Sequence, residues 1–143
     1  DAVRGRDVRA FVVQPRQRLL WPADAQGEPW ARLPPPVARH LAQYAAQLQR
    51  RADLVTGPWW QLFRVRAATS PHRVIWGDLA RRLEAASLPE ATAVPLNSCY
   101  VIATRDAHHA GTLTAWLNSS WIRALARLSA EPAAGGAPAL PRE

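Results

Sequence analysis

Arginine is the residue type in this chain with the clearest capacity for chemistry. The 143 residues include 18 basic against 11 acidic side chains, giving a net charge of +7, and every basic residue is an arginine. A guanidinium group forks onto phosphate oxygens and guanine edges, so the excess of base favours a polyanionic partner. The preference for arginine over lysine has a second explanation, because a chain rich in Ala, Arg and Pro is typical of GC-rich DNA.

Arg64 and Arg66 have a spacing that suits a nucleic-acid backbone. Segment 59–66 predicts a strand, which places Trp60, Arg64 and Arg66 on one face and the two guanidinium groups roughly 6–7 Å apart. That distance matches successive phosphates, and Trp60 is positioned to stack or pack beside them. The other arginines expected to contribute are Arg4, Arg6, Arg9, Arg73, Arg81 and Arg82. The alternative is that all of them belong to an ordinary solvated face.

Catalytic chemistry finds little support in the sequence. There is no Gly-rich phosphate loop, the eleven acids are scattered, and His108 and His109 would point about 100° apart on a helix. The single cysteine, Cys99, lies in an apolar run and is expected to be a buried small hydrophobe. We therefore predict no catalytic site, metal or cofactor in this chain, and a reduced, cytoplasmic setting.

The elements that must position the arginines follow from apolar spacing and from Pro and Gly breaks. The prediction is a strand at 8–13, a Pro-rich connection at 14–36, a helix from Pro36 to Gly57, strands at 59–66 and 73–76, an ambiguous helix at 78–86, a strand at 97–104, and a helix capped by Asp106 with a break at 118–120. This order predicts an α+β fold, in which a small, mostly antiparallel sheet is packed by two main helices. Residues 1–129 are expected to form one domain and residues 130–143 a flexible tail.

The sequence also predicts whether the chain meets a membrane, is secreted or belongs to a longer polypeptide. Its apolar runs are far shorter than a membrane span, and no basic-then-apolar leader opens it, so neither a membrane partner nor secretion is expected. The sequence contains no methionine and starts at Asp1. We therefore expect it to be a piece of a longer polypeptide.

Several stretches carry a resemblance to a known family. Residues 4–8 read Arg-Gly-Arg-Asp-Val, residues 73–80 read Arg-Val-Ile-Trp-Gly-Asp-Leu-Ala, residues 94–102 read Val-Pro-Leu-Asn-Ser-Cys-Tyr-Val-Ile, and residues 113–119 read Leu-Thr-Ala-Trp-Leu-Asn-Ser. In this order, together with the Trp-Trp-Gln-Leu-Phe-Arg segment from Trp59, they resemble the target-recognition region of N6-adenine DNA methyltransferases, including type IIG enzymes that fuse methylation and restriction. The likeness spans residues 4 to about 129. Gly77 stands where the family often has Pro, and the chain stops short of the family's Leu-Pro-x-Pro stretch.

The resemblance implies a division of labour. In the family an Asn/Asp-Pro-Pro-Tyr/Phe motif holds the flipped adenine and a separate Gly-containing loop binds S-adenosylmethionine, and this sequence has neither motif. By resemblance, this chain would read double-stranded DNA and hold its backbone, without being an enzyme itself. The methyltransferase domain of the same parent chain would bind S-adenosylmethionine and transfer the methyl group. Arg4, Arg6, Arg64, Arg66 and Arg73 would contact phosphates, and loop side chains would select bases.

The signature residues also have a structural interpretation. Asn97 before a strand and Asn118 at a helix break suit turn and cap hydrogen bonds, and Tyr100 is expected to be a core residue with a satisfied hydroxyl. Other functions also stay open at this point. One is a protein-interaction or scaffold module that docks a catalytic domain through Trp faces, another is an RNA-binding module, and a third is an enzyme in its own right.

Overall fold

The computed structural model describes residues 1–63, 65–89, 93–132 and 138–139, with the side chains of 66, 131, 132, 138 and 139 outside the description. The strands are β1 (Ala2–Val3), β2 (Val8–Arg9), β3 (Val12–Val13), β4 (His72–Gly77), β5 (Ala85–Pro89), β6 (Val94–Pro95), β7 (Cys99–Ala103), β8 (Glu131–Pro132) and β9 (Pro138–Ala139). The α-helices are α1 (Pro35–Ala42), α2 (Ala45–Gln49), α3 (Val65–Thr69), α4 (Ala107–Leu117) and α5 (Ser120–Ser129). This mixture confirms the predicted α+β class.

The chain forms two compact units. The first is assembled from Asp1–Leu19 and Ser70–Glu143, and the second is the intervening stretch Leu20–Thr69. The predicted tail at 130–143 lies largely outside the described residues.

A three-stranded antiparallel sheet with the order β5-β4-β7 organises the first unit. The strand predicted at 73–76 is its central strand, and the strand predicted at 97–104 is the edge strand β7. Ser87 and Ile102 flank Val74 in the register of the three strands. Successive residues of β4 point to opposite faces, so both faces of the sheet can be buried.

Each face of this sheet is covered by a different part of the chain. On one face, the buried cluster joins the sheet to the N-terminal segment and consists of Val3, Val8, Ile75, Ala86, Leu88 and Ala93. On the other face, α4 packs against the sheet through Val74, Ala85, Ala110 and Leu117, with Ile122 of α5 at the margin. Complete burial of a side chain such as Ile75 contributes about 1.5–3 kcal/mol. The central strand is therefore the most strongly anchored element of the unit.

The N-terminal segment is an integral layer of the first unit. β1 pairs in parallel with β6, and β2 pairs with β3 in a tight hairpin whose turn holds Phe11 at a φ of 66°. The backbone N–H of Phe11 donates to the Ala85 carbonyl over 2.9 Å, which ties this hairpin to the edge strand β5. The single strand predicted at 8–13 is thus two short strands, because the chain turns at Phe11.

The two long C-terminal helices begin as the sequence predicts. The Asp106 carboxylate accepts a 2.8 Å bond from the His109 backbone N–H at the start of α4, and this bond holds the pKa of Asp106 below its usual range. The Ser119 hydroxyl caps α5 by accepting a 3.3 Å bond from the Ile122 N–H. Polar side chains at these two points satisfy N–H groups that have no partner within the helix. The predicted break at 118–120 separates the helices.

The second unit departs from the sequence prediction. The helix predicted from Pro36 to Gly57 is interrupted by a turn at Gln43–Tyr44, leaving α1 and α2. Neither helix contains a buried residue, so the apolar stripe that suggested one long helix has no packed face to hold it together. Gly57 does mark a reversal, at a φ of +98°.

Two element predictions are wrong. A strand was predicted over residues 59–66, but Trp59 and Trp60 lie in a turn, residues 61–63 are irregular, and Val65–Thr69 is helical. Trp59 and Trp60 pack edge to face at 5.4 Å, which successive residues on opposite strand faces could not do. The helix considered at 78–86 is also wrong, because Ala85–Pro89 joins the sheet as β5. In the part of the chain that the structure describes, no helix is long and apolar enough to cross a membrane.

Candidate nucleic-acid interface

Three of the stretches that carry the family resemblance meet in the first unit. The backbone N–H of Gly5 donates to the Ser98 hydroxyl over 3.1 Å, and the N–H of Asp78 donates to the Ser98 carbonyl over 2.9 Å. A methyl group placed on Gly77 would lie 3.2 Å from the Gly5 carbonyl oxygen. Residues 4–8, 73–80 and 94–102 are therefore joined at one point by backbone contacts.

The N-terminal stretch is shaped by Asp7. This carboxylate is 3% exposed, and its Oδ2 accepts a 2.9 Å hydrogen bond from the backbone N–H of Arg4. The bond closes a 3-10 turn over Gly5–Asp7. Arg6 is exposed and belongs to this turn. The buried carboxylate of Asp7 therefore sets the backbone position from which the Arg6 side chain extends.

A cavity of about 320 Å³ opens beside this turn. Arg6 and Arg9 line it from the N-terminal segment, and Arg81 and Arg82 line it from the loop between β4 and β5. The Arg9 guanidinium donates to the carbonyls of Arg6 and Val8 over 2.9 and 2.8 Å, so it is held against its own backbone. Four arginines thus line one cavity.

A larger cavity of about 770 Å³ continues from the first one. The two cavities share the lining residues 80–82, and the far wall of the larger one is α5, which contributes Arg123 and Arg127. Its lining also includes the apolar residues Ala80, Leu83, Ala124 and Ala126. We call the combined surface the basic cleft, defined by Arg6, Arg9, Arg81, Arg82, Arg123 and Arg127.

The basic cleft is strongly positive. Its six arginines are opposed by one lining carboxylate, Glu84, for a formal charge of +5. Glu84 lies 3.3 Å from the Arg123 guanidinium, which also donates to the Leu83 carbonyl over 2.9 Å. Among the described carboxylates, none lies within ion-pair distance of the remaining five arginines. The internal pair therefore fixes one wall and leaves the other cations facing solvent.

Of the arginines predicted from the sequence to contact phosphates, Arg6 lines the basic cleft, and Arg4 is exposed beside it. The prediction that Arg73 contacts phosphate is wrong. Arg73 is 2% exposed on the buried face of β4, and its guanidinium donates to the carbonyls of Leu88, Pro89 and Ala93 at 3.4, 2.7 and 3.3 Å. Arg73 therefore links the end of β5 to the residue that precedes β6, and its role is structural.

In the described residues 59–63 and 65–66, the predicted strand face is absent. Trp60 lies in the second unit, is half-buried, and donates its indole N–H to the Trp30 carbonyl over 3.0 Å. It therefore packs within its own unit and has no strand to align it with arginines. Arg64 and the side chain of Arg66 lie outside the described residues, so their contacts stay predictions.

The three signature residues have different environments. Asn118 is 8% exposed and is hydrogen-bonded to the backbone of β5. Asn97 is exposed in the turn before β7. Tyr100 was expected in the core, but it is 40% exposed and stacks on Trp76 with ring centroids 5.6 Å apart. The reason is the register of the sheet, which pairs Trp76 with Tyr100 at the edge strand.

Sequence reasoning missed Arg123 and Arg127. Both lie on α5, and their i,i+4 spacing puts them on one helical face. That spacing was visible in the sequence, but the apolar residues of the same helix dominated its interpretation. Only the tertiary packing of α5 opposite the 80–83 segment brings these two arginines to the other four.

Neither a metal-binding group in the described part of the chain nor a similarity to a family model or curated protein was found. Within the described residues, no group of three or more His, Cys, Asp or Glu side chains is arranged to hold a metal ion. No family model matches the chain, and no curated protein matches it.

Proposed function

We propose that this chain is the DNA-recognition module of an N6-adenine DNA methyltransferase and that the basic cleft holds the phosphate backbone of a DNA duplex. The observation that carries the proposal is the cleft itself, where six arginines from three separate parts of the chain line one surface against a single, already paired acid. A surface of this kind suits a polyanion.

The shape of the cleft favours a backbone over an isolated phosphate. Alternating phosphates and deoxyribose rings present charge and apolar surface in turn. The larger cavity likewise combines apolar residues, including Ala80 and Ala124, with Arg81, Arg82 and Arg127 in its lining. Such contacts set the register of a protein on DNA without reading its sequence. We assign base selection to exposed loop side chains near the cleft.

The parent enzyme would supply what this chain lacks. The methyltransferase domain of the same parent chain would bind S-adenosylmethionine and the flipped adenine, and this module would position the target in a cytoplasmic enzyme. The family resemblance of residues 4–8, 73–80, 94–102 and 113–119 supports this assignment. The first three of these stretches lie in contact with one another around Gly5 and Ser98.

A salt titration tests the proposal. We expect a fluorescent duplex of about 30 base pairs to bind with an affinity that falls about 100-fold between 50 and 200 mM NaCl, since four phosphate contacts give a log–log slope near −3.6. The four are assigned to Arg6, Arg81, Arg82 and Arg127, because Arg9 and Arg123 already bond internally. Binding without a salt slope contradicts the proposal. Preference for an RNA duplex over DNA in competition would replace it with an RNA-binding function.

A further inference from the structure

Helix α5 has a second face that the basic cleft does not use. At 100° per residue, Trp121, Leu125 and Leu128 fall within about 60° of one another, on the side opposite Arg123 and Arg127. Their exposed fractions are 77%, 53% and 85%. An exposed apolar stripe of three large side chains on one helix is unusual in a monomer, where such residues are normally scattered singly. We call this surface the α5 stripe.

The α5 stripe does not belong to the core of its own unit. The residue of α5 that packs against the buried cluster beneath α4 is Ile122, which lies about 100° around the helix from Trp121. Trp116 on the neighbouring helix α4 is also 56% exposed. The helix is thus anchored through one side, lines the cleft with another, and leaves its most apolar side to solvent.

We infer that the α5 stripe is a homodimer interface, in which α5 packs antiparallel on α5 of a second copy of this chain. A two-fold axis through the middle of the stripe, at Leu125, would set Trp121 of each copy against Leu128 of the other, so the same patch serves both partners. The edges of the stripe are small and uncharged, at Ala124 and Ser129. Two helices can therefore approach closely, and no local charge selects an oppositely charged partner over a second copy.

The area available agrees with a weak dimer. Exposed Trp and Leu side chains in these fractions offer on the order of 500 Å² on each copy. The total near 1,000 Å² is the lower limit for a specific interface. A duplex is a less suitable occupant, since Leu125 and Leu128 can neither stack on bases nor contact phosphates. Arg123 and Arg127 lie on the opposite side of the helix from the stripe, so these two cleft arginines stay accessible in the dimer.

Salt separates this association from DNA binding. Each copy carries a net charge of +7, so repulsion opposes dimerisation and is screened as salt rises, while the apolar contact is unaffected. Sedimentation equilibrium of the full chain from about 5 to 300 μM should show a monomer–dimer equilibrium that tightens at least about threefold between 50 and 500 mM NaCl. The salt dependence of DNA binding has the opposite sign.

Variants locate the interface. The double substitution Trp121→Gln and Leu128→Gln should weaken dimerisation at least about tenfold, while Val55→Gln, at a residue of the second unit that is 85% exposed, should leave it unchanged. Leu125→Cys should give a disulfide-linked dimer on mild oxidation, since facing Cα atoms of closely packed helices come within disulfide reach. Val55→Cys, with Cys99 present in both variants, is the control for chance cross-linking.

Three outcomes would overturn the inference. They are a monomer at every concentration and salt, a dimer unaffected by the double substitution, and cross-linking no greater for Leu125→Cys than for Val55→Cys. A fourth is binding of the chain to anionic lipid vesicles that the double substitution abolishes while the protein alone stays monomeric. That result would assign the stripe to a lipid surface.

Discussion

The side-chain amide of Asn118 is bonded at both ends to the backbone of Ala85, donating from Nδ2 to the carbonyl over 2.7 Å and accepting at Oδ1 from the N–H over 3.0 Å. Ala85 begins the edge strand β5, so the Asn118 amide takes the place of a neighbouring strand in bonding to the Ala85 backbone. Asn118 is also the C-cap residue of α4, directly after its last helical residue, Leu117. One buried residue therefore fixes the distance between the helical layer and the sheet.

We predict that Asn118→Ala lowers the free energy of unfolding by about 2 kcal/mol, because the Ala85 N–H loses its partner in a buried position. Urea denaturation followed by tryptophan fluorescence measures this change. Asn97→Ala is the matched control, since Asn97 is exposed, and it should cost less than about 0.5 kcal/mol. Equal effects of the two substitutions would contradict the structural assignment of Asn118.

A second prediction concerns the contact between Gly5 and Gly77. A methyl group at Gly5 would lie 2.5 Å from the Ser98 carbonyl oxygen and 2.9 Å from the Gly77 Cα, both backbone atoms that cannot move aside cheaply. We expect Gly5→Ala to destabilise the chain by about 2 kcal/mol or more. Thermal unfolding measures the loss.

The same substitution elsewhere provides the control. Gly111 lies inside α4, and a methyl group there would meet nothing within 4 Å. Gly111→Ala should therefore raise stability by about 0.5–1 kcal/mol through helix propensity. Destabilisation at Gly111, or tolerance at Gly5, would show that the backbone contact is not as tight as described.

A third prediction addresses the cleft. The double substitution Arg81→Gln and Arg82→Gln should make the log–log salt slope of DNA binding shallower by about 2, one for each lost phosphate contact, and weaken binding uniformly across sequences. Both residues are exposed and belong to a loop, so the fold should persist. Arg39→Gln with Arg50→Gln removes the same charge from the second unit. If that pair changes the slope as much, net charge and not the cleft governs binding.

A fourth prediction follows from Cys99. Burial, together with the charge of Asp7, raises the pKa of its thiol to about 11. At pH 8 the thiolate is then about 100-fold scarcer than at a pKa of 9, so alkylation by iodoacetamide should be slower in the folded protein than in urea by at least that factor. Equal rates in both states would contradict the burial of this thiol.

The same shift predicts a pH dependence of stability. A group whose pKa is raised on folding contributes stability that is complete below its unfolded value, near 9, and that is lost as the pH rises toward 11. We expect wild-type protein to lose stability over this window relative to Cys99→Ala, in denaturation experiments at pH 8 and pH 10.5. The two stability curves should run parallel below pH 8.

Local signals predicted part of this fold well. Asp106 and the polar run at 118–120 gave the ends of α4 and α5, and the β-rich runs at 73–76 and 97–104 gave two strands of the sheet. These elements carry their own capping groups or β-branched residues, so their sequences alone favour the observed conformation.

The failures share a physical cause. Arg73 reads as a surface cation, and only its position on the buried face of β4, opposite the carbonyls of β5, makes it a structural residue. The strand at 59–66 and the long helix from Pro36 were predicted from periodicity alone. Periodicity stabilises an element mainly where its apolar face is packed, and neither α1 nor α2 contains a buried residue. The basic cleft brings together residues 6, 81 and 127, which are far apart in the sequence. No local sequence pattern predicts that they lie close together in space.

The parallel pairing of β1 with β6 joins residues that are 92 positions apart, Ala2 with Val94. During synthesis, β1 therefore has no pairing partner until β6 has been made. Until then, Val3 lacks the buried cluster that covers it in the folded first unit, and the second unit, Leu20–Thr69, has already been made. Such non-local closure is slow, so we expect the first unit to close late, after the segment inserted into it has been synthesised.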